Sequence, residues 1–269
     1  EGRWAGLPPV AARERLLEAV LVTSINEAGK GTWLAVMQAL SPPLDEHMQH
    51  PRLADLVLAT LDEEDDHLRA AALTVLGRLA IRNPAHVTPQ LRRLLLSFLT
   101  QLRHAPTPRG KQTAAAMLSQ LGAACPRLLY GYATPIIEAL TPHMSSRDAG
   151  VAATALRVIG EMAELAGDRL LPYVPTLLPQ LHQVLLDFAS LDKRRAALCT
   201  LWRLLRHTAQ PRKGHPDHAA SEALKRRILL TLLTELLHPT MTDSRGARLE
   251  LLRALGVVGA TDPAVLQAK

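Results

Sequence analysis

Residues 68–80 read LRAAALTVLGRLA, a run of small residues and leucines that closes on an apolar-glycine pair. The same phrase returns four times, at 111–124 (KQTAAAMLSQLGAA), 151–163 (VAATALRVIGEMA), 194–206 (RRAALCTLWRLLR) and 246–259 (GARLELLRALGVVG). Its anchor positions are Gly77, Gly122, Gly160, Trp202 and Gly256, at intervals of 45, 38, 42 and 54 residues. These intervals match two-helix solenoid repeats of about 40–47 residues, provided a long loop sits in the last interval.

Each phrase is preceded by a second helical segment, often opened by proline. Pro89 leads Leu91, Leu94, Leu95, Phe98, Leu99 and Leu102, and Pro175 leads Leu177, Leu181, Val184, Leu185 and Phe188. Both sets follow the spacing of one buried helix face. The recurring phrase is therefore helix B of a pair, and the proline-led segment helix A. Helix B is rich in alanine (Ala70–Ala72, Ala114–Ala116, Ala152, Ala153, Ala155, Ala196, Ala197) because it packs against helix A and against the next pair at short axial distance. A glycine inside a helix costs about 1 kcal/mol relative to alanine, so its reuse at one phase predicts close backbone contact. Trp202 breaks that rule and predicts local repacking, or a wider gap, at the fourth pair.

The punctuation keeps the same period. Asn83-Pro84, Cys125-Pro126 and Asp262-Pro263 fall just beyond a helix B, where proline stops a helix. Between helices A and B lie the acidic run 62–66, the Pro/Gly-rich 103–111 (RHAPTPRGK) and 145–150 (SSRDAG), and the longest insertion is 207–218. Residues 10–26 and 32–40 add two helices of an earlier, partial repeat. The whole of 1–269 reads as a single array with approximate repeats at 51–83, 84–125, 126–167, 168–209 and 219–262. The fold class is all-α, a HEAT/armadillo-like α-solenoid superhelix.

Composition agrees. The chain is 48% hydrophobic and 21% charged, yet it has only 3 Trp, 3 Tyr and 2 Phe, so its core is made of Leu, Ala, Val and Ile, a helical rather than a sandwich composition. Two cysteines 74 positions apart form no framework and fit a reducing, intracellular setting. Net charge is +6, which permits an acidic partner without requiring one. No stretch approaches the ~18 consecutive apolar residues of a membrane span, so the chain reads as soluble. It opens on Glu1 without a leader-like segment, as a fragment or processed chain would.

With the period established, the wording resembles the N-terminal HEAT region of the target of rapamycin (TOR) kinases, which are phosphatidylinositol-3-kinase-related kinases. Residues 61–99 carry the family's order of VGRL-type helix B, NPA, V-x-P and R-x-x-L-leucine helix. Residues 124–140 (ACPRLLYGYATPIIEAL) resemble its APRLI-x-PY-x-PI-x-x-AL phrase, and 158–166 (VIGEMAELA) its TIGELAQV run. Residues 193–208 (KRRAALCTLWRLLRHT) are similar to KRQ-x-ALWTLGQLV-x-ST, and 248–263 (RLELLRALGVVGATDP) to REAIRVLGLLGALDP. The resemblance runs in register over about residues 36–269. It departs at Trp202, where the family has glycine, at 210–218, and at 1–35.

The resemblance implies a non-catalytic, protein-binding scaffold segment of a serine/threonine kinase that controls growth in response to nutrients. The kinase domain, with its ATP and Mg, would lie far C-terminal of these residues. Implied partners are raptor-class regulatory subunits, and the implied setting is cytoplasmic, with the parent recruited to endomembrane or lysosome/vacuole surfaces. An unrelated HEAT adaptor for transport or phosphatase assembly, and a nucleic-acid-binding solenoid, are the alternatives.

Individual residues support no chemistry of their own, and we assign no catalytic, cofactor-binding or metal-ligating residue and no small-molecule substrate. Kinase chemistry needs a Gly-rich loop, a strand lysine and a catalytic-loop Asp and Asn, and none is present. Gly29-Lys30-Gly31 is a helix-breaking turn rather than a phosphate loop. His207, His215 and His218 with Asp217 are spaced like metal ligands but sit in a Pro/Gly loop, read as solvated. Cys125 and Cys199 read as buried structural thiols, since neither has an adjacent base. Arg92, Arg93, Arg103, Arg109, Lys111, 193–195, Arg212, Lys213 and 225–227 are spread out and lack interleaved aromatics, so they read as solvated helix faces or a rim and not as a nucleic-acid surface. The loops 103–111 and 212–214 are the expected rim contacts for a partner. The acidic run 62–66 reads as a helix-start cap rather than a hydrolytic carboxylate pair.

Overall fold

The computed structural model describes residues 55, 57–62, 65–187, 189–208 and 245–261. The expected helices at 10–26 and 32–40, the turn at 29–31, the insertion beyond 208 and the basic groups at 212–213 and 225–227 lie outside the described residues. Every regular element among the described residues is helical. In chain order they are a 3-10 turn Thr60–Asp62, then α1 (Asp66–Arg82), α2 (Pro84–His104), α3 (Pro108–Ala124), α4 (Pro126–Gly131), α5 (Ala133–Leu140), a 3-10 turn Thr141–His143, α6 (Ala149–Leu170), a 3-10 turn Leu171–Tyr173, α7 (Val174–Leu185), α8 (Leu191–Thr208) and α9 (Arg245–Thr261). The five recurring phrases fall on α1, α3, α6, α8 and α9, one helix each.

Local chemistry sets most of the ends. Asp65 is the N-cap of α1, its Oδ1 accepting from the His67 N–H at 2.8 Å, so part of the acidic run does cap a helix. Asn83 serves two helices: its N–H donates to the Leu79 carbonyl to close α1, and its side chain accepts from His86 N at 3.4 Å to open α2. Asp148 caps α6 through the Val151 N–H at 2.9 Å.

Three boundaries differ from the sequence reading. Helix α2 opens at Pro84 and carries Pro89 inside it, because Pro84 already supplies the fixed φ of a first turn. The third helix A is split into α4 and α5. Pro135 has no N–H to give the Gly131 carbonyl, and the chain instead closes a tighter turn through Tyr132 N to Leu129 O at 3.0 Å. The third repeat, expected to end at 167, runs to Leu170, with a kink at Ala166 (φ −141°, ψ 46°).

The described residues form two compact units. One holds those up to Leu96 together with Ala123–Pro126; the other holds Ser97–Gly122 and those from Arg127 on. In the first, Val57, Leu73, Val75, Leu76, Leu79, Val87, Leu91 and Leu95 are buried, with α1 packed on the Thr60–Asp62 turn. In the second, α6 packs on α5 and α8, and α8 in turn on α7 and α9. The proline-led faces are the buried ones: Leu95, Phe98, Leu99 and Leu102 on α2, and Leu177, Leu181, Val184 and Leu185 on α7. Phe188 lies outside the described residues. Among the described residues no helix is long and apolar enough to cross a membrane.

Candidate protein-interaction surface

The anchor positions divide into contacts of two kinds. A Cβ built on Gly77 would stand 2.5 Å from the Ala124 carbonyl oxygen and 2.8 Å from its Cβ, so only glycine permits this approach. At Gly160 it would stand 3.2 Å from the Thr200 Cα and Oγ1 and from the Arg203 Cδ, which brings α8 against the α6 backbone. At Gly122 the neighbour is the Leu129 side chain, at 2.9 Å. Gly256 faces nothing within 4 Å, so the close contact expected there is not made among the described residues.

Where the fourth phrase has Trp202, the indole reaches across to α9: its Nε1–H donates to Glu250 Oε2 at 2.8 Å. Glu250 is buried, and its other oxygen accepts from Arg253 at 2.9 Å. The Arg203 and Arg253 guanidinium groups stand 5.7 and 6.0 Å from the Trp202 ring centre. Arg203 Nε also sits 3.1 Å from Glu164 Oε1, a charge contact rather than an aligned hydrogen bond. The tryptophan thus ties α8 to α9 where glycine would let them touch. Two residues earlier, the Thr200 hydroxyl lies 2.5 Å from the Leu156 carbonyl of α6 and 2.9 Å from the Ala196 carbonyl, sharing one proton between them.

Two of the basic residues read as solvated are not. Arg194 is 1% exposed, with Nε donating to the Leu185 carbonyl at 3.1 Å, and burial holds its pKa below the usual guanidinium value. Lys193, 8% exposed, donates to Asp187 Oδ2 at 2.9 Å, and that bond holds the Asp187 carboxyl below its usual range. Together they fasten the turn between α7 and α8. Sequence inspection could not find this, since an α-helical pattern does not say which cation folds back on the preceding turn.

The stretch 103–111 is not a loop either. Thr107 Oγ1 accepts from the Gly110 N–H at 3.2 Å and Pro108 opens α3, so only Ala105–Thr107 lies between the helices and Arg109 and Lys111 are helical. Arg92, Arg93, Arg103, Arg109 and Arg195 are exposed.

Cys125 is buried, and burial pushes its thiol up to about 11; burial also raises Cys199. Both are poor nucleophiles at neutral pH. His207 is exposed on α8, while His215, Asp217 and His218 lie outside the described residues. Sequence reading also missed a second surface cluster: the Tyr130 hydroxyl donates to Asp168 Oδ2 at 2.7 Å and holds that carboxyl below its usual range, with Arg169 5.2 Å over the ring. Its members are 38 residues apart, beyond any local motif. The described surface therefore offers exposed side chains on helix faces and no constellation for covalent chemistry.

Comparison with known proteins fits this picture. The chain is 31% identical over 255 residues to the serine/threonine-protein kinase TOR of Oryza sativa subsp. japonica, and 32% identical over 252 residues to mTor of Drosophila melanogaster. The chain is homologous to a segment of TOR kinases. TOR2 of Saccharomyces cerevisiae matches at 29% over 251 residues. In each case 92% of this chain is covered but 10% of the TOR relative, so the chain spans about a tenth of their length. No family profile matches. Among solved structures, Kap121p is similar at TM-score 0.61 and 19% identity over 91% of this chain and 23% of Kap121p. An engineered protein follows at TM-score 0.53 and 14% identity, covering 91% and 96%. These likenesses show the fold, an all-helical repeat solenoid.

Proposed function

We propose that this chain is a non-catalytic scaffold segment of a TOR-type serine/threonine protein kinase, and that it works by presenting helix faces to protein partners. The observation that carries the reading is the in-phase recurrence of helix B over five helices, in a chain homologous to a tenth of TOR. Helical repeats bury one side of each pair in its neighbours and leave long faces exposed, so binding energy comes from an extended surface rather than a pocket. The solved relatives support this use of the fold, since Kap121p is described bound to Pho4p. The partners in view are raptor-class regulatory subunits, in a cytoplasmic complex that the parent carries to endomembrane surfaces. Phosphoryl transfer, with ATP and Mg, belongs to other parts of that parent.

Two measurements test the reading. Calorimetry of this chain with ATP and Mg is expected to give no stoichiometric binding. Cross-linking of the parent complex is expected to place this segment against the raptor-class subunit. Stoichiometric nucleotide binding would overturn the first part, and cross-links from the segment only to its own chain would overturn the second.

A further inference from the structure

We infer that the exposed face of α2 made by Ala85, Pro89, Arg92, Arg93 and Leu96 docks an acidic, amphipathic segment of a protein partner. The inference rests on the scaffold reading and adds the chemistry of the partner. Its first ground is how charge is distributed. From His67 to Ile137 the sequence holds nine Arg and Lys residues and no Asp or Glu. The chain as a whole has 31 cations and 25 carboxylates, so everything outside that stretch is net negative, and the positive excess of the protein comes from this one region.

The second ground is where the structure puts two of those cations. Residues 85, 89, 92, 93 and 96 are all exposed, at the i, i+4, i+7, i+8, i+11 spacing of a single helix face about 16 Å long. The opposite side holds buried Val87, Leu91 and Leu95. Arg93 Nη1 donates to Gln90 Oε1 at 3.4 Å, and among the described residues no carboxylate pairs with Arg92 or Arg93. Adjacent guanidinium groups repel each other until carboxylates arrive, and the guanidinium fork suits a bidentate carboxylate. Eight of the nine cations are arginine.

The third ground is Leu96, 52% exposed and one turn from Arg92 and Arg93. A partner helix laid along this face would put an apolar residue on Leu96 and acidic residues three or four positions away on the arginines. Single-stranded nucleic acid is disfavoured because the face carries no aromatic side chain on which bases could stack, and duplex DNA is one of the arms of the test below. A membrane surface is disfavoured because one leucine, an alanine and a proline offer little to insert.

The test uses the full 269-residue chain and two fluorescent 20-residue peptides of equal negative charge, one with leucines on a single helical stripe and one with serines in their place. Anisotropy at physiological salt is expected to show the leucine peptide binding about tenfold tighter. Leu96→Ser should erase that difference. Arg92→Glu/Arg93→Glu should weaken both peptides by about tenfold or more, while Arg195→Glu, an exposed arginine elsewhere, should not. Circular dichroism confirms that each variant keeps its helices. Equal binding of the two peptides, equal loss from Arg195→Glu, or tighter binding of duplex DNA or phosphatidylserine vesicles than of the leucine peptide would overturn the inference. If the peptides fail while cross-links to the raptor-class subunit persist, the acidic-partner inference falls and the scaffold reading stands. If the peptides succeed while those cross-links are missing, the raptor-class assignment falls and the acidic-partner inference stands.

Discussion

Replacing Gly77 by alanine sets two calculable effects against each other. Alanine is favoured over glycine in a helix interior by about 1 kcal/mol, so in open space the substitution would stabilise α1. The new Cβ, however, would stand 2.5 Å from the Ala124 oxygen, 2.8 Å from its Cβ and 2.9 Å from its carbonyl carbon. Ordinary contact needs more than 3.4 Å, and the atoms in the way are backbone, which cannot swing aside as a side-chain tip can. Overpacking of this kind costs about 1–3 kcal/mol, and obstruction by backbone places it at the upper end. The net expectation is a loss of about 1–2 kcal/mol. Gly256→Ala supplies the control, since it gains the same propensity and meets nothing within 4 Å, so it should stabilise by about 0.5–1 kcal/mol. Because repeat arrays can unfold in parts, a single melting temperature averages over too much. Amide exchange resolved to α1 and to residues 123–126 reads the local effect directly. If Gly77→Ala protects those amides as much as Gly256→Ala protects its own helix, the close-approach argument is wrong.

Trp202→Phe keeps an aromatic side chain but loses the indole N–H and leaves the buried Glu250 with one partner fewer, and urea unfolding should show a loss of about 1.5–3 kcal/mol. Asp148→Ala removes the cap of α6 and should cost about 1 kcal/mol, with faster amide exchange confined to residues 149–152. His143 has its pKa lowered from 6.5 by burial and then by nearby Lys111, so the folded chain takes up its proton less readily than the unfolded one. That contribution is fully present above about 6.5 and is lost as pH falls from there through the lower, folded pKa. His143→Gln should therefore flatten the decline of stability below pH 6.5, and an unchanged acid slope would remove His143 as its source.

Helix identity was legible along the chain because it depends on local periodicity. The alanine-leucine phrases, the proline-led faces and the stops at Asn83-Pro84 and Cys125-Pro126 are each written within one or two turns, and each became an element or a boundary. The close approach at Gly77 and Gly160 was readable too, since an unrewarded glycine in a helix implies a neighbour. Errors arose where two local rules competed. Pro84 and Pro89 could each open α2, and the capping by Thr107 with Pro108 turned a supposed basic loop into a helical turn.

What sequence could not decide was which distant groups meet. Lys193 and Arg194 look like any exposed basic pair, yet the turn after α7 returns the Leu185 carbonyl and the Asp187 carboxylate to them and buries both. Trp202 and Glu250 are 48 positions apart, and Tyr130 and Asp168 are 38 apart, so nothing local links them. Periodicity determined the helices and their buried faces because a helix repeats every 3.6 residues whatever surrounds it. Polar pairing was left to the tertiary structure, because a charge is paired or solvated according to which helix packs beside it, and that choice is made by the summed burial of many apolar side chains.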